Sequence, residues 1–189
     1  MDLAAQLRAF RPWNEQEERN REALLRLLEN GQAPYGREDP AHLTASAWVV
    51  SPGRDRVLLA YHNLYDSWSW LGGHADGERD LLSAALREVR EESGLEEVQP
   101  VSRDIYSVEI LTVDGHEKRG RYVSSHLHLN VTFLLEADPA APVRRKADEN
   151  SAVAWFALEE AVAASTEPWF QTRIYSKLNA RLAGYPPVR

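Results

Sequence analysis

The chain has 189 residues with 22 Lys+Arg against 29 Asp+Glu, a length that suits one domain with at most a small appendage. A hydrophobic share of 43% is enough for a packed core and excludes wholesale disorder, while a net charge of -7 argues against a general binder of nucleic acid or membrane surfaces, both of which are polyanionic. The absence of Cys excludes a disulfide framework, a thiolate nucleophile and any Cys-ligated zinc or iron–sulfur centre.

At the N-terminus, MDLAAQLRAFRPW carries Asp2 where a signal peptide would be basic, and it lacks an apolar stretch. No apolar run approaches the roughly 18 residues of a membrane span, so a soluble, cytoplasmic protein is expected. Asn14 followed by Glu17 resembles a capping box, Ala23, Leu24, Leu27 and Leu28 fall at helical spacing, and Gly31 stops the segment. Residues 32–40 (QAPYGREDP) are turn-rich and read as a linker. The expected division is therefore a helical extension over 1–40 and a main domain over 41–189.

The main domain mixes strands and helices. Residues 44–50 and 56–62 read as a hairpin around SPGRD, and residues 80–92 as a helix. Two further strands over 105–113 and 126–135 flank a polar loop, DGHEKRGRY, and a short strand covers 152–156. Helices follow near 158–164 and 167–182, with Thr166 placed to cap the second and Pro168 in its first turn. This order predicts an α/β fold, a sheet covered by helices on both sides.

The segment 72–95, GGHADGERDLLSAALREVREESGL, carries the chemistry. Gly72, Gly73 and Gly77 make a loop whose backbone can approach a ligand closely. In the helix that follows, Leu82, Ala85, Leu86 and Val89 form the buried stripe at 100° per residue, and Glu88, Glu91 and Glu92 share a second face. Ser93-Gly94-Leu95 ends the helix with glycine at the left-handed position. Like charges at this spacing repel, and Glu91 and Glu92 sit in the last turn, where the helix dipole disfavours anions. One reading is a solvated acidic face partly neutralised by Arg87 and Arg90. The other is a ligand set for a hard divalent cation such as Mg²⁺, which reverses the sign of the repulsion. The preceding glycine loop and the fixed Gly-Leu stop give the second reading its context.

REVREESGL (87–95) resembles the REUxEExGU core of the Nudix box, where U is aliphatic. Upstream, WSWLGGH (68–74) resembles the aromatic-x-x-Pro-Gly-Gly lead-in of that family, with Leu71 in the proline position. Downstream, DENSAVAWF (148–156) resembles its acidic stretch before a Trp-containing strand. The resemblance covers about 41–160, with the box over 73–95. It has one departure: the first Glu of the box falls on Arg79, and Glu78 stands one residue early. Because that Glu mostly supports the loop in the family, the slip bears on loop geometry more than on metal binding.

The resemblance implies a Nudix-type α/β/α sandwich with a mixed sheet. It also implies a hydrolase that cleaves the diphosphate linkage of a nucleoside diphosphate derivative by water attack on phosphorus, assisted by Mg²⁺ or Mn²⁺. The implied metal ligands are Glu88, Glu91, Glu92 and the Gly72 carbonyl. Glu88 and Glu92 are the implied catalytic residues, with Glu88 as base and Glu149 as the alternative base. Arg87 is expected to orient carboxylates rather than touch substrate.

Other residues are open to two readings. His126 and His128 share one strand face, facing either solvent or a substrate cleft; a zinc site there would need further ligands from elsewhere. Lys118, Arg119 and Arg121 form either a solvated loop tip or a clamp on a phosphate. Of Trp68 and Trp70, one is expected in the core and the other, Trp68, is a candidate to stack on substrate. The expected partner is a small phosphorylated, nucleotide-like substrate, with the N-terminal helix packing on the domain or making a homodimer contact.

Two alternatives stand beside the hydrolase. One is a non-catalytic module of the same fold that senses a ligand or binds a partner. The other is a diphosphate isomerase: isopentenyl diphosphate isomerases resemble the fold but rely on a reactive Cys and a His-rich metal site, and this chain has no Cys. The proline that marks ADP-ribose pyrophosphatases is missing, with Leu111 in that region, as is the Tyr of dinucleoside polyphosphate hydrolases. Nucleoside triphosphates, nucleotide sugars and other dinucleotides all fit the motifs.

Overall fold

The computed structural model describes residues 2–32, 34–118, 120–146 and 149–187. Two helices come first. In α1 (Leu3–Ala9), Asp2 caps the start by accepting from the Ala5 N–H at 2.7 Å. In α2 (Glu15–Glu29), the Asn14 side chain accepts from the Glu17 N–H at 3.0 Å, while the Glu17 carboxylate takes the Trp13 N–H at 2.6 Å. Gly31, at φ 75°, follows the end of α2 as expected. Helix α1 was not anticipated. Its signal is Leu3, Leu7 and Phe10 at helical spacing, and all three are buried.

The sheet is mixed, as the α/β expectation required. Strands β1 (Ala41–Val50) and β2 (Arg56–His62) form the expected hairpin, followed by β3 (Ser67–Ser69), β4 (Leu71–His74) and helix α3 (Leu81–Ser93). Strands β5 (Gln99–Pro100) and β6 (Ser107–Val113) come next, then β7 (His116–Lys118), β8 (Arg121–Val123), β9 (His126–Glu136) and β10 (Asn150–Ala157). The order is β10-β2-β1-β9-β5, with β3 on β2, β4 on β1 and β6 on β9. β1 and β9 run parallel. The DGHEKRGRY segment, expected to be a plain loop, instead contains the two-stranded ribbon β7–β8.

Helix α4 (Leu158–Ala164) is followed by a π-helical turn over Phe170–Tyr175 and then α5 (Ser176–Arg181). The expected Thr166 cap is not formed. The Thr166 hydroxyl donates to the Asp66 carbonyl at 3.2 Å, and Ser165 Oγ accepts from the Glu167 N–H instead, at 3.3 Å. No helix among the described residues is long and apolar enough to cross a membrane.

Register decides what each face of the sheet carries. On one face, Leu43, Ala45, Ala47 and Val49 align with Leu129, Val131, Phe133 and Leu135. They pack with Leu82, Ala85 and Val89 of α3 and with Leu3, Leu7, Phe10 and Leu24 in one core. On the other face, His42 pairs with His128, Thr44 with Asn130, Ser46 with Thr132 and Trp48 with Leu134. That face grades from histidine through neutral polar side chains to a second core, where Trp48 and Leu134 meet Tyr106, Tyr175 and Leu178.

A buried charge network ties the two ends of the chain to the sheet. Glu17 is fully buried. Its carboxylate lies 2.8 Å from Lys177 Nζ and 2.8 Å from Arg181 Nη1, and it accepts from Ser107 Oγ at 2.6 Å. Lys177 also reaches Glu109, buried on β6, at 2.6 Å. Burial alone would raise the Glu17 carboxyl, but Lys177 holds it below its ordinary range. Lys177→Met should therefore cost about 3–5 kcal/mol, because two buried carboxylates lose their shared cation. Urea unfolding measures this, and a loss below about 1 kcal/mol would contradict the network's role.

Candidate active site

Strand β4, the LGGH segment, lies antiparallel against β1 with Gly72 opposite Ser46 and Gly73 opposite Ala45. A side chain at Gly72 would meet strand backbone, and one at Gly73 would displace the Glu88 carboxylate. At Gly72, with φ 156°, a Cβ would stand 2.5 Å from the Ala45 carbonyl oxygen and 2.6 Å from Ser46 Cα; at Gly73 it would stand 2.6 Å from the Glu88 carboxyl carbon. The glycines thus let the helix carboxylates close onto the strand backbone, and the Gly72 N–H donates to Glu92 Oε2 at 2.9 Å.

Helix α3 is fixed at both ends. Asp80 caps it by accepting from the Leu82 N–H at 3.2 Å, and Gly94 ends it in the left-handed conformation. Glu78 Oε1 accepts from the Asp80 N–H at 2.8 Å, so the displaced glutamate braces the loop where it enters the helix. Arg79, at the nominal position, lies over the Tyr35 ring, 5.6 Å from its centroid.

The three glutamates of the helix differ in exposure. Glu88 and Glu92 are buried, whereas Glu91 is exposed. Arg87 donates to Glu88 Oε1 at 2.6 Å, to the His74 carbonyl at 3.1 Å, and lies 3.8 Å from Glu91 Oε1. Lys146 Nζ bridges Glu91 Oε2 at 3.1 Å and Glu149 Oε2 at 2.8 Å. Asn150 Nδ2 donates to the Glu92 carbonyl at 3.1 Å, which anchors β10 to the end of α3. Four carboxylates thus share a small volume with two cations, and Glu92 has neither within ion-pair distance.

Their electrostatics follow from that placement. Burial pushes the Glu92 carboxyl up to about 8; the Gly72 N–H works against this, and the Glu88 and Glu149 charges add to it. Burial also raises Glu88, with Arg87 opposing. Burial acts to lower Lys146, but Glu149 and Glu91 outweigh it and keep the ammonium charged. An ammonium already bridges two of the carboxylates, and a third, the buried Glu92, has no cation within ion-pair distance among the described residues. This all-oxygen donor set fits a hard divalent ion.

The other expected residues are placed as follows. Trp68 packs edge-on against Tyr61 and Phe156, and Trp70 edge-on against Phe170 and Tyr175. Lys118 and Arg121 face each other at the exposed tip of the β7–β8 ribbon; Arg119 and Asp148 lie outside the described residues. At the base of the ribbon, the His116 ring lies 6.3 Å from the His126 ring on β9. His126 and His128 stand with their Nε2 atoms 3.2 Å apart.

Two groups of residues escaped the sequence reading. His42 and His74 join His126 and His128 in one cluster; the available signal was a histidine opening a strand of alternating polarity and another following Gly-Gly. The second group lines a cleft of about 740 Å³, whose walls include Tyr65, Leu111, His116, Trp169 and Phe170. Here no local signal existed, because three separate segments meet. The loop leading to this cleft starts at the carboxylates: the Asn63 N–H donates to the Glu149 carbonyl at 3.3 Å, and the Tyr65 ring lies 4.8 Å from that of His62.

A family model for the NUDIX domain matches residues 40–178. Among solved structures, the fold is similar to a C. elegans Ap4A hydrolase in a binary complex, with a TM-score of 0.52 and 21% identity over 76% of this chain and 99% of that one. It is also similar to RenU, a Nudix hydrolase from M. smegmatis, with a TM-score of 0.54 and 18% identity over 78% and 89% of the two chains. The E. coli dihydroneopterin triphosphate pyrophosphohydrolase gives a TM-score of 0.54 and 16% identity over 75% and 96%. No curated protein sequence matches the chain.

The raised Glu92 carboxyl has a measurable consequence. Held at about 8 in the fold against an ordinary value of 4.5, Glu92 stays protonated when folded while the unfolded chain loses that proton. Its contribution to stability is complete below about pH 4.5 and is lost as pH rises toward 8. Metal-stripped protein should therefore lose thermal stability between pH 5 and 8, and Glu92→Gln should flatten that decline. Parallel Tm–pH curves for the two proteins would refute the assignment.

Proposed function

This chain belongs to the Nudix family and is a pyrophosphohydrolase of that family, and we propose that it cleaves the diphosphate linkage of a nucleoside diphosphate derivative by attack of water on phosphorus. The observation that carries the proposal is the buried Glu88–Glu92 pair closed onto Gly72 and Gly73, with Glu92 lacking a cation. Two carboxyl groups held together in a buried site cost stability, and a ligand role for a divalent ion accounts for them. The same burial weighs against a non-catalytic sensor or partner-binding module, which has no use for such a pair.

Glu88, Glu91, Glu92 and the Gly72 carbonyl would hold Mg²⁺ or Mn²⁺. When bound, such an ion neutralises diphosphate charge and lowers the pKa of a coordinated water. Arg87 fixes the Glu88 carboxylate from one side and the β4 backbone from the other. Glu88 takes the proton from the attacking water. Glu149 is the second candidate, tethered through Lys146. The Lys146 ammonium, kept charged by Glu149 and Glu91, would be available to substrate phosphate at this site.

The cleft beyond Glu149 suits the remainder of such a substrate. Tyr65, Trp169 and Phe170 offer flat apolar surface for a base, and His116 and Thr166 offer polar contacts at its edge. Lys118 and Arg121 are assigned to substrate phosphate because Asp114, Gly115 and His116, which lead into their ribbon, line this cleft, and His126 and His128 lie on the neighbouring strand. Trp68 is kept as a candidate substrate contact, although its ring packs against Tyr61 and Phe156. The proposed organisation is a hydrolase domain over 41–189 with residues 1–40 as a helical extension. The proposed setting is the cytoplasm, where nucleotide-like substrates reside. The exposed face of α2 is available for a homodimer contact.

Glu91→Gln and Glu92→Gln should each abolish most turnover with Mg²⁺ or Mn²⁺ across a panel of nucleoside triphosphates, nucleotide sugars and dinucleotides, with phosphate, pyrophosphate and nucleoside monophosphate separated. Near-normal turnover in either variant at limiting Mg²⁺ would remove it from the ligand set, and a wild-type protein inert across the panel would overturn the proposal. Neutralising Lys118 and Arg121 together should raise KM by about one to two orders of magnitude, from charge-assisted hydrogen bonds of about 1.5–3 kcal/mol discounted for exposure. An unchanged KM for substrates of two and three phosphates would return both residues to a solvated tip.

A further inference from the structure

We propose that His42, His74, His126 and His128 form a second metal site, one that takes a borderline transition ion of the zinc class rather than Mg²⁺. One ligand nitrogen from each of the four lies within 4.8 Å of those of the others. In a tetrahedron with Zn–N bonds of about 2.0–2.1 Å, neighbouring nitrogens stand roughly 3.3 Å apart. His126 Nε2 and His128 Nε2 are already 3.2 Å apart.

The cluster is built, not accidental. His42 and His128 are direct neighbours across the parallel β1–β9 ladder, His126 follows on the same face of β9, and His74 stands across β4 from Thr44. His42 Nδ1 lies 2.8 Å from the Asp39 carbonyl and His126 Nδ1 2.8 Å from the Ser124 carbonyl. A carbonyl only accepts, so each Nδ1 carries the proton and each Nε2 presents a lone pair. This is the arrangement that outer-shell carbonyls impose on metal-bound histidines. His42 Nε2 is buried with no hydrogen-bond partner among the described residues. A buried acceptor left unpaired is costly, and a cation at the centre of the cluster satisfies it together with its neighbours.

Four imidazoles and no carboxylate form a softer donor set than the all-oxygen Glu88, Glu91 and Glu92 group, so the two sites select different ions. Only the β4 backbone separates them: Gly72 and Gly73 meet the carboxylates, while His74 sends its ring to the opposite face. The site does not revive the isomerase alternative, since the cysteine that chemistry requires is absent.

The test uses chelator-stripped full-length protein titrated with Co²⁺ and with Zn²⁺. One equivalent of Co²⁺ should give the intense visible ligand-field bands of a four-coordinate nitrogen site, and Zn²⁺ should bleach them and raise Tm. His128→Gln and His42→Gln should each weaken Co²⁺ binding by at least tenfold. Glu88→Gln should leave the bands in place, which separates this site from the carboxylate site. Because a histidine variant may simply misfold, its far-ultraviolet circular dichroism is compared with wild type, and wild type alone already decides the main point. Weak octahedral-type bands in wild type, bands lost in Glu88→Gln, or bands kept in folded His128→Gln would each overturn the proposal.

Discussion

The parallel pairing of β1 with β9 sets where polarity lies in this domain. Ten consecutive residues are matched, and from Ala41 to Val49 the match puts polar side chains beside polar ones and apolar beside apolar. Because side chains alternate strictly, a slip of one residue would send His128, Asn130 and Thr132 into the core beneath α3 and bring Leu129, Val131 and Phe133 to the opposite face. The register is therefore held by about as much apolar burial as the sheet contains. β4, β6 and β2 are all added to this pair, so the glycine strand, the buried Glu109 and the hairpin inherit their positions from it.

The carboxylate group is a second constraint, and it works against stability. Glu88 and Glu92 point from a helix whose other side is core, onto a strand whose two glycines let them come close. A backbone amide and two cations on the rim meet part of the cost. The remainder is stored as a carboxyl group that resists ionisation. Natural folds retain such local conflict chiefly at functional sites, where a ligand resolves it.

Much of this was legible in the sequence because the deciding patterns are local. The spacing of Glu88, Glu91 and Glu92, the Gly94 stop and the Gly72-Gly73 pair need only a helix and a turn to become a site. The hairpin at SPGRD and the strand at 126–135 follow from period-two alternation. What escaped depends on chain segments far apart. His42 and His74 are unremarkable singly and become a cluster only when β1, β4 and β9 are adjacent. The aromatic cleft joins the loop after β2, the end of β6 and the turn before α5. The ribbon β7–β8 hid within a polar stretch because only three residues on each side pair. Thr166 was misjudged as a cap because its hydroxyl had a nearer acceptor, a carbonyl on a loop 100 residues away.

The Glu17 network has a consequence for how the molecule comes into being. Glu17 and Arg181, which meet in it, are 164 residues apart in the chain. During synthesis from the N-terminus, α2 emerges with its carboxylate well before Lys177 and Arg181 exist to neutralise it, and Glu109 waits in the same condition. The sheet can assemble early, but desolvating those two acids without their cations is unfavourable, so the last helix closes the structure. Docking of α2 and of the C-terminal segment is then one late event rather than two. Such long-range closure is slow relative to local hairpin formation, and until it occurs the apolar stripe of α2 remains open to whatever nascent-chain factors are at hand.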